Sequence, residues 1–362
     1  MAEWAALGIT ADPGRVHTEG RLVRGTLEEA RERVAALFGV RPRQVVLTSG
    51  GTEAINTAVW GTLAGTGGAA PVACAAVEHS AVRDSSARLG AVVEIGVDMV
   101  GRITAAAVDE ALERSVADHG RLPALVHCQV ANHEVGTDHD VADVVALCRR
   151  RGVMAHVDAA SAAGHVPLDL EALGADLVSI SSHKLGGPAG VGALVLRRGL
   201  RIEPLLVGGE QERGRRAGLE DVSGAIGFGA AAAALAEPGR ILAEASESRR
   251  HTDRMLAAAT AVAGVHPYGD IGRRAPHIVC LGVDGVEAEP VLLGLDQAGV
   301  AVHSGSSCSS ESLEPSPVLE AMGADGERSL RLSVGWPTTD ADVDAFIDAF
   351  AGVVGRLRDL RS

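Results

Sequence analysis

The feature that most constrains the fold is a repeating order. Between about residues 25 and 200, short apolar runs rich in β-branched residues alternate with amphipathic helical stretches. The runs read as strands at 44–48, 72–77, 92–97, 124–130, 153–157, 177–181 and 191–196. Most are apolar nearly throughout rather than at every second position, the pattern of strands buried on both faces. Between them, Val141, Val144, Val145 and Cys148 follow the i, i+3, i+4, i+7 spacing of a helix with one buried face, and 104–116 reads as another helix. Earlier, Thr26-Leu27-Glu28-Glu29 has the form of a capping box opening a helix over 26–39, with Leu27, Ala30, Val34 and Phe38 along one side. Strands separated by helices specify an α/β fold with a mostly parallel sheet covered on both faces, which binds ligands at the carboxyl ends of its strands.

That rule makes polar residues just past each strand the candidates for function. Ser49-Gly50-Gly51-Thr52 joins a strand to a helix, as either a phosphate cradle or a plain helix cap. Glu78-His79 offers an imidazole for stacking or proton transfer, or simply a surface loop. Asp158 ends a strand and could face a protonated ring nitrogen or cap a helix. Ser181-Ser182-His183-Lys184 precedes Gly186-Gly187-Pro188, and a partly desolvated lysine there would suit covalent carbonyl chemistry. Cys308 lies in Ser304-Gly305-Ser306-Ser307-Cys308-Ser309-Ser310, a segment too polar for a core, which favours a usable thiolate.

Composition narrows the remaining options. The chain is 46% hydrophobic but only 2% aromatic, so its core must be built from Ala, Val and Leu. A formal charge of −14 excludes unaided nucleic-acid binding. Two basic clusters, Arg149–Arg151 and Arg213–Arg216, interrupt the acidic background, and the first suits the last turn of a helix. The five cysteines show no CxxC spacing, so neither a zinc site nor a disulfide framework is expected. No apolar run reaches the ~18 residues of a membrane span, and the expectation is a reduced, cytoplasmic protein.

Taken together and in order, these motifs resemble those of the cysteine desulfurases, in the class V aminotransferase group of fold-type I pyridoxal-5′-phosphate (PLP) enzymes. The resemblance runs from about Asp12 to Leu357 and rests on TSGGTEAINTAVWG (48–61), EHSAV (78–82), NHEVGT (132–137), HVDAASAAGHVPLDL (156–170), SSHKLGGPAGVGALVLRRG (181–199), GGEQERGRRAG (208–218) and SGSSCSSESLEPSPVL (304–319). It implies a large domain over 12–238 with a mostly parallel seven-stranded sheet. A smaller α+β domain over 239–362 would carry the Cys308 loop and a capped last helix from Thr339, with residues 1–11 packing on that smaller domain. The break falls at Glu237-Pro238-Gly239, after the Ala-rich stretch 230–236.

The same resemblance assigns roles. Lys184 would hold PLP and move protons. Asp158 would pair with its ring nitrogen, and His79 would stack on the ring. Gly51, Thr52, Ser181 and His183 would hold the phosphate, with His133 and Ser161 beside the ring. Asn132, His133 and Arg331 would bind the substrate, Arg331 by its carboxylate. Cys308 would take the sulfur of L-cysteine as a persulfide, leaving L-alanine, and pass it to an acceptor or scaffold protein. A homodimer is implied, with Arg213–Arg216 as a candidate for its interface; membrane and direct nucleic-acid partners are not.

Four departures from the family pattern stand out. The family's Leu-Asp-x-x-(Ala/Ser)-Thr-Thr opening is missing, so that wall of the site is expected to be built by other residues or by another chain. His133 stands where an amide is usual, Ser161 where a Gln is common, and Leu219 where a Thr would donate to a phosphate across a dimer. These changes predict a looser hold on PLP or a shifted aldimine pKa, in a protein that serves a specialised pathway. The competing readings are a related PLP enzyme (selenocysteine lyase, another C–S lyase, epimerase or aminotransferase) and a catalytically reduced sulfur-relay scaffold. Cys308 argues against the first and Lys184 against the second.

Overall fold

The computed structural model describes residues 1–6, 8, 11–67, 70–304 and 316–360. Among them, seven strands form the larger sheet: β1 (Val45–Thr48), β2 (Val72–Ala75), β3 (Val92–Ile95), β4 (Leu125–Gln129), β5 (Met154–Asp158), β6 (Leu177–Ser181) and β7 (Gly192–Leu196). Their order is β1-β7-β6-β5-β4-β2-β3. The ladders from β3 through β6 are parallel, whereas β7 runs antiparallel to both β6 and β1. The reason lies in the connections. Parallel neighbours are joined through crossover helices, but β6 reaches β7 through one short 3-10 turn, Ser182–Leu185, closed by Gly186 at φ +85°. Lys184 sits on that reversal.

The strands are buried along nearly their whole length except β3, an edge strand that alternates exposed and buried. Small apolar side chains fill the space against the covering helices, as the low aromatic content requires. All four phenylalanines, Phe38, Phe228, Phe346 and Phe350, are buried. Fully burying a Leu or Phe contributes about 1.5–3 kcal/mol each, and two separate apolar clusters, one with Leu27, Val34 and Phe228 and one with Val59, Leu63 and Leu177, pack around the larger sheet.

The first long helix begins earlier than the capping box indicated. It spans Thr18–Leu37, with His17 as N-cap accepting from Gly20 N–H at 3.1 Å. Thr26 lies inside it, its hydroxyl donating to Leu22 O at 3.1 Å. Thr-x-x-Glu reads the same within a helix as at its start, and Gly20 and Gly25 hid the preceding turns. The last helix, Asp340–Asp359, does have a capping box, between Thr339 and Asp342, and buries Val343, Phe346 and Phe350, with Ile347 half-buried. Arg149–Arg151 occupy the last turn of Val141–Arg151, before Gly152.

A second sheet is antiparallel throughout, in the order β10-β11-β9-β8: β8 (Val265–Tyr268), β9 (Ile278–Val283), β10 (His303–Ser304) and β11 (Ser329–Ser333). It shares a separate core with the helices Arg240–Thr260, Ala288–Gln297 and Asp340–Asp359, in which the Phe346 and Phe350 rings stack at 5.1 Å. The Ala-rich helix Val222–Leu235 ends just before Gly239, whose φ of +79° turns the chain into this second unit. Met1 lies against Gly227 and Pro188 of the first unit rather than on the second, since a Cβ at Gly227 would meet Met1 Sδ at 2.7 Å. The two units are stitched along the segment after β4. Ala275 N–H donates to Gly136 O at 2.8 Å, Asp138 N–H donates to Arg273 O at 3.0 Å, and Thr137 bridges Arg274. No described helix is long and apolar enough to cross a membrane.

Candidate active site

The carboxyl ends of β2, β4, β5 and β6 and the end of β1 converge on one cavity of about 480 Å³. Its wall includes Gly51, Thr52, His79, His133, Asp158, Ser161, Ser181, His183 and Lys184, with Arg331 reaching in from β11. Nine residues singled out from strand ends and family motifs, plus Arg331 from the second sheet, therefore share one space. Cys308 lies outside the described residues.

At one end of the cavity the helix Gly51–Ala64 begins. Its N-cap is Gly50, which brings no capping side chain, so the first-turn N–H groups face the cavity without one. Ser181 Oγ lies 2.9 Å from His183 Nδ1 beside it, and a Cβ at Gly51 would come within 3.4 Å of Ser181 Cβ. Gly192 on β7 is required here, because a Cβ would meet Gly50 C and Ile180 O at 2.7 Å each. Hydroxyls, an imidazole and a helix N-terminus make an anion cradle.

Asp158 ends β5 and is 8% exposed. Its Oδ1 accepts from Ala160 N–H at 2.9 Å. Burial raises its pKa, against the pull of that N–H and of His79, His133 and Lys184. Behind it lies Glu78, buried, with Oε1 accepting from Gln129 N–H at 2.8 Å and Oε2 without a partner. Burial, and then the neighbouring Asp158, push the Glu78 carboxyl up to about 8.

His79 caps the helix Ser80–Leu89, its Nδ1 accepting from Ala81 N–H at 3.1 Å. The neutral ring therefore carries its proton on Nε2. His133 meets His79 edge to face at 5.1 Å and lies between Gln129 Oε1 and Glu134 Oε1, each 3.5 Å from a ring nitrogen. Glu134 accepts in turn from Ser316 Oγ, and Arg331 Nη1 donates to His133 O at 3.1 Å. Asn132 does not take the substrate-binding place expected of it. It is fully buried, Nδ2 donates to Val77 O and Oδ1 accepts from Glu134 and Val135 N–H, so its amide holds the turn that presents His133.

Lys184 is exposed to the cavity rather than partly desolvated. Its backbone is fixed instead, its carbonyl oxygen lying 2.9 Å from His165 Nε2. Leu219 is 63% exposed, on a small groove beside Ser49 and Arg216. The cluster Arg213–Arg216 is bound within the chain: Arg213 to Glu28 at 2.8 Å, Arg215 to Arg43 O at 2.9 Å, and Arg216 to Glu53 at 2.9 Å. Under it lies a buried pair that the sequence reading missed, Arg31 and Glu212, joined by two bonds of 2.6 Å. An arginine on the apolar stripe of Leu27, Ala30 and Val34 was the available signal.

The residues present fit PLP. A bare helix N-terminus with hydroxyls matches a phosphate, the buried carboxylate of Asp158 matches a protonated ring nitrogen, and an accessible amine matches an aldehyde.

The family profile for aminotransferase class-V matches residues 7–346. The cysteine desulfurase of Gluconacetobacter diazotrophicus is 38% identical over 355 residues, covering 95% of this chain and 86% of that protein. Cysteine desulfurase IscS of Dictyoglomus turgidum is 35% identical, covering 96% and 89%. Among solved structures, a NifS-like protein superposes with a TM-score of 0.85 at 28% identity, over 96% of this chain and 92% of that one. DndA from Streptomyces lividans gives 0.75 at 30% identity, over 92% and 94%. The chain thus belongs to the class-V aminotransferase family, and the two relatives given above, matched over most of their length, are cysteine desulfurases.

Proposed function

We propose that this protein is a cysteine desulfurase with PLP as its resident cofactor: it removes sulfur from L-cysteine, releases L-alanine and leaves a persulfide on Cys308. The observation that carries this reading is the convergence of Lys184, Asp158 and the uncapped start of Gly51–Ala64 on one cavity. Lys184 would hold PLP covalently, Asp158 its ring nitrogen, and Thr52, Gly51, Ser181 and His183 its phosphate. When bound, PLP supplies the electron sink for breaking bonds at the substrate's α and β carbons.

The chain's own residues do the rest. Arg331 orients the substrate carboxylate. Lys184 Nζ carries a proton away from the α carbon and back. His79, its Nδ1 tied to Ala81, would stack on the ring. The four described cysteines are buried, and burial raises every one of their thiols, Cys74, Cys148 and Cys280 to about 12. They stay protonated and inert, which supports Cys308, the remaining cysteine, as the nucleophile. The reaction balances without an oxidant: the substrate's C–S bond breaks, an S–S bond forms at Cys308, and the substrate carbon gains a proton. We further take the protein to be a cytoplasmic homodimer with domains at 12–238 and 239–362, handing its persulfide to an acceptor protein.

The test is alanine release from L-cysteine by PLP-loaded protein. Wild type should release alanine and Cys308→Ser should release little. Equal release by both would remove Cys308 from the reaction, and none from either would refute the reading.

A further inference from the structure

The turn that carries Lys184 spends its own donors on a single acceptor. After the 3-10 turn Ser182–Leu185, Gly186 N–H and Gly187 N–H both return to Ser182 O, the second at 3.0 Å. A continuing helix would bring the N–H of residue 188 to the carbonyl of Lys184, but that residue is proline and has none. The donor for this carbonyl comes from outside the turn: His165 Nε2 lies 2.9 Å from Lys184 O. A carbonyl only accepts, so the ring proton sits on Nε2, and burial lowers the ring's pKa, which keeps it neutral near pH 7. His165 stands this close because Gly164, at φ +83°, lets the two backbones meet; a Cβ there would come within 2.6 Å of Leu185 Cβ. The face of His165 is covered by His277, with ring centroids 3.6 Å apart and planes 14° from parallel. A histidine ring turns easily about its last side-chain bond, and a stacked neighbour removes that freedom. His277 belongs to the second unit. It is buried, and its carbonyl accepts from Val334 N–H at 3.0 Å, just past β11. The other half of the turn has supports of its own: Ser182 N–H donates to Val191 O at 3.2 Å, and Ser181 Oγ lies 2.9 Å from His183 Nδ1.

We infer that His165 is a positioning residue for Lys184, aiming its amine at the cofactor's aldehyde, and that His277 holds His165 in place from the second unit. This rests on the reading of PLP as the resident cofactor. The lysine side chain turns about several bonds, so fixing its backbone raises the share of conformations in which Nζ meets the aldehyde carbon. That share governs the covalent part of the hold on PLP. The phosphate part rests on Ser181, His183 and the helix start at Gly51, which the Val191 bond and the Ser181–His183 contact support without His165.

The test compares two ligands on the full-length protein freed of cofactor, by isothermal titration calorimetry. PLP can join Lys184; pyridoxine 5′-phosphate has the same ring and phosphate but an alcohol in place of the aldehyde, and cannot. His165→Phe keeps a ring for the stack and loses only the donor. It should weaken PLP binding about tenfold, the worth of one hydrogen bond, and leave pyridoxine 5′-phosphate within about twofold. His165→Gln, whose amide N–H can donate, should recover most of the loss. His277→Leu keeps the donor but frees its ring, and should weaken PLP about threefold; it also provides the measurement should His165→Phe fail to fold. A purely structural role would weaken both ligands alike. Equal loss for the two ligands, unchanged PLP binding in both His165→Phe and His277→Leu, or His165→Gln no better than His165→Phe would overturn the inference. Wild type that binds neither ligand would remove the PLP reading and this inference with it, so the two failures are told apart by the wild type alone.

Discussion

Arg31 and Glu212 are 1% and 4% exposed, and their two 2.6 Å bonds are not their only ties. Arg31 Nη1 also donates to Val45 O at 3.0 Å, and Glu212 Oε2 accepts from Leu47 N–H at 2.9 Å, so the pair grips β1 at two points. Burial works against the arginine's charge, but Glu212 and Glu28 outweigh it and its pKa is raised. Glu212 holds this place at φ +50°, followed by Arg213 at +62°, a left-handed conformation that costs an L-residue roughly 1–2 kcal/mol. Arg31→Met leaves a buried carboxylate without its cation, which costs about 3–5 kcal/mol. At about 3 °C per kcal/mol for a domain of this size, the first thermal transition should fall by roughly 10 °C. Arg31→Met with Glu212→Leu removes both charges and should recover most of the loss, since an apolar replacement of a buried pair is often neutral. Circular dichroism melts of the wild type, both single variants and the double variant complete the cycle. A drop of under 2 °C in Arg31→Met, or a double variant no better than the single, would refute the reasoning.

Two further outcomes follow from the site's surroundings. His127 and His156 face each other across β4 and β5 with Nδ1 atoms 2.8 Å apart, and burial holds His156 down to about 3 and His127 well below 6.5. The unfolded chain binds more protons below pH 6.5, so their contribution is whole above 6.5 and is lost as pH falls toward 3, by about 1.4 kcal/mol per pH unit per ring. His127→Val should flatten that acid slope by about one proton in urea unfolding at a series of pH values; an unchanged slope would count against the pair. Gly192→Ala should displace the Ser49–Gly51 turn and weaken PLP binding at least about tenfold, at a cost of about 1–3 kcal/mol in stability. Gly96→Ala, with open space around it, should change neither, and normal PLP titration of Gly192→Ala would show that the cradle does not depend on that close approach.

The ends of the strands were legible because each apolar run stops at a polar residue, and a parallel sheet gathers such ends in one place. That logic found Thr52, His79, Asp158, Ser181 and Lys184, while Arg331 and His133 came from the family motifs. It could not find Asn132's true use, because an amide that holds a turn and one that holds a ligand look alike in sequence. Nor could it pair Arg31 with Glu212, 181 positions away, or foresee a left-handed glutamate. Glu78 was seen beside His79, but its role as a carboxyl raised by its neighbour depends on Asp158 lying next to it, which only the β2–β4–β5 register creates. The helix start at Thr18 was hidden for the opposite reason: its cap is a histidine and its first turns hold glycines, while a better-looking cap stands inside.

The stitching of residues 136–138 to 273–275 has a mechanical consequence. The hydrogen bonds run from the turn that bears His133 to the strand lead-in of the second sheet, while Asn132 Nδ2 to Val77 O and Thr137 Oγ1 to Val100 O tie the same turn to the first unit. His133 and Arg331, joined at 3.1 Å, are thereby fastened to both units at once, facing Lys184, Asp158 and the helix start at Gly51. A rotation of one unit against the other would have to break bonds on one side of this turn, so the seam acts as a rivet that sets the width of the cavity.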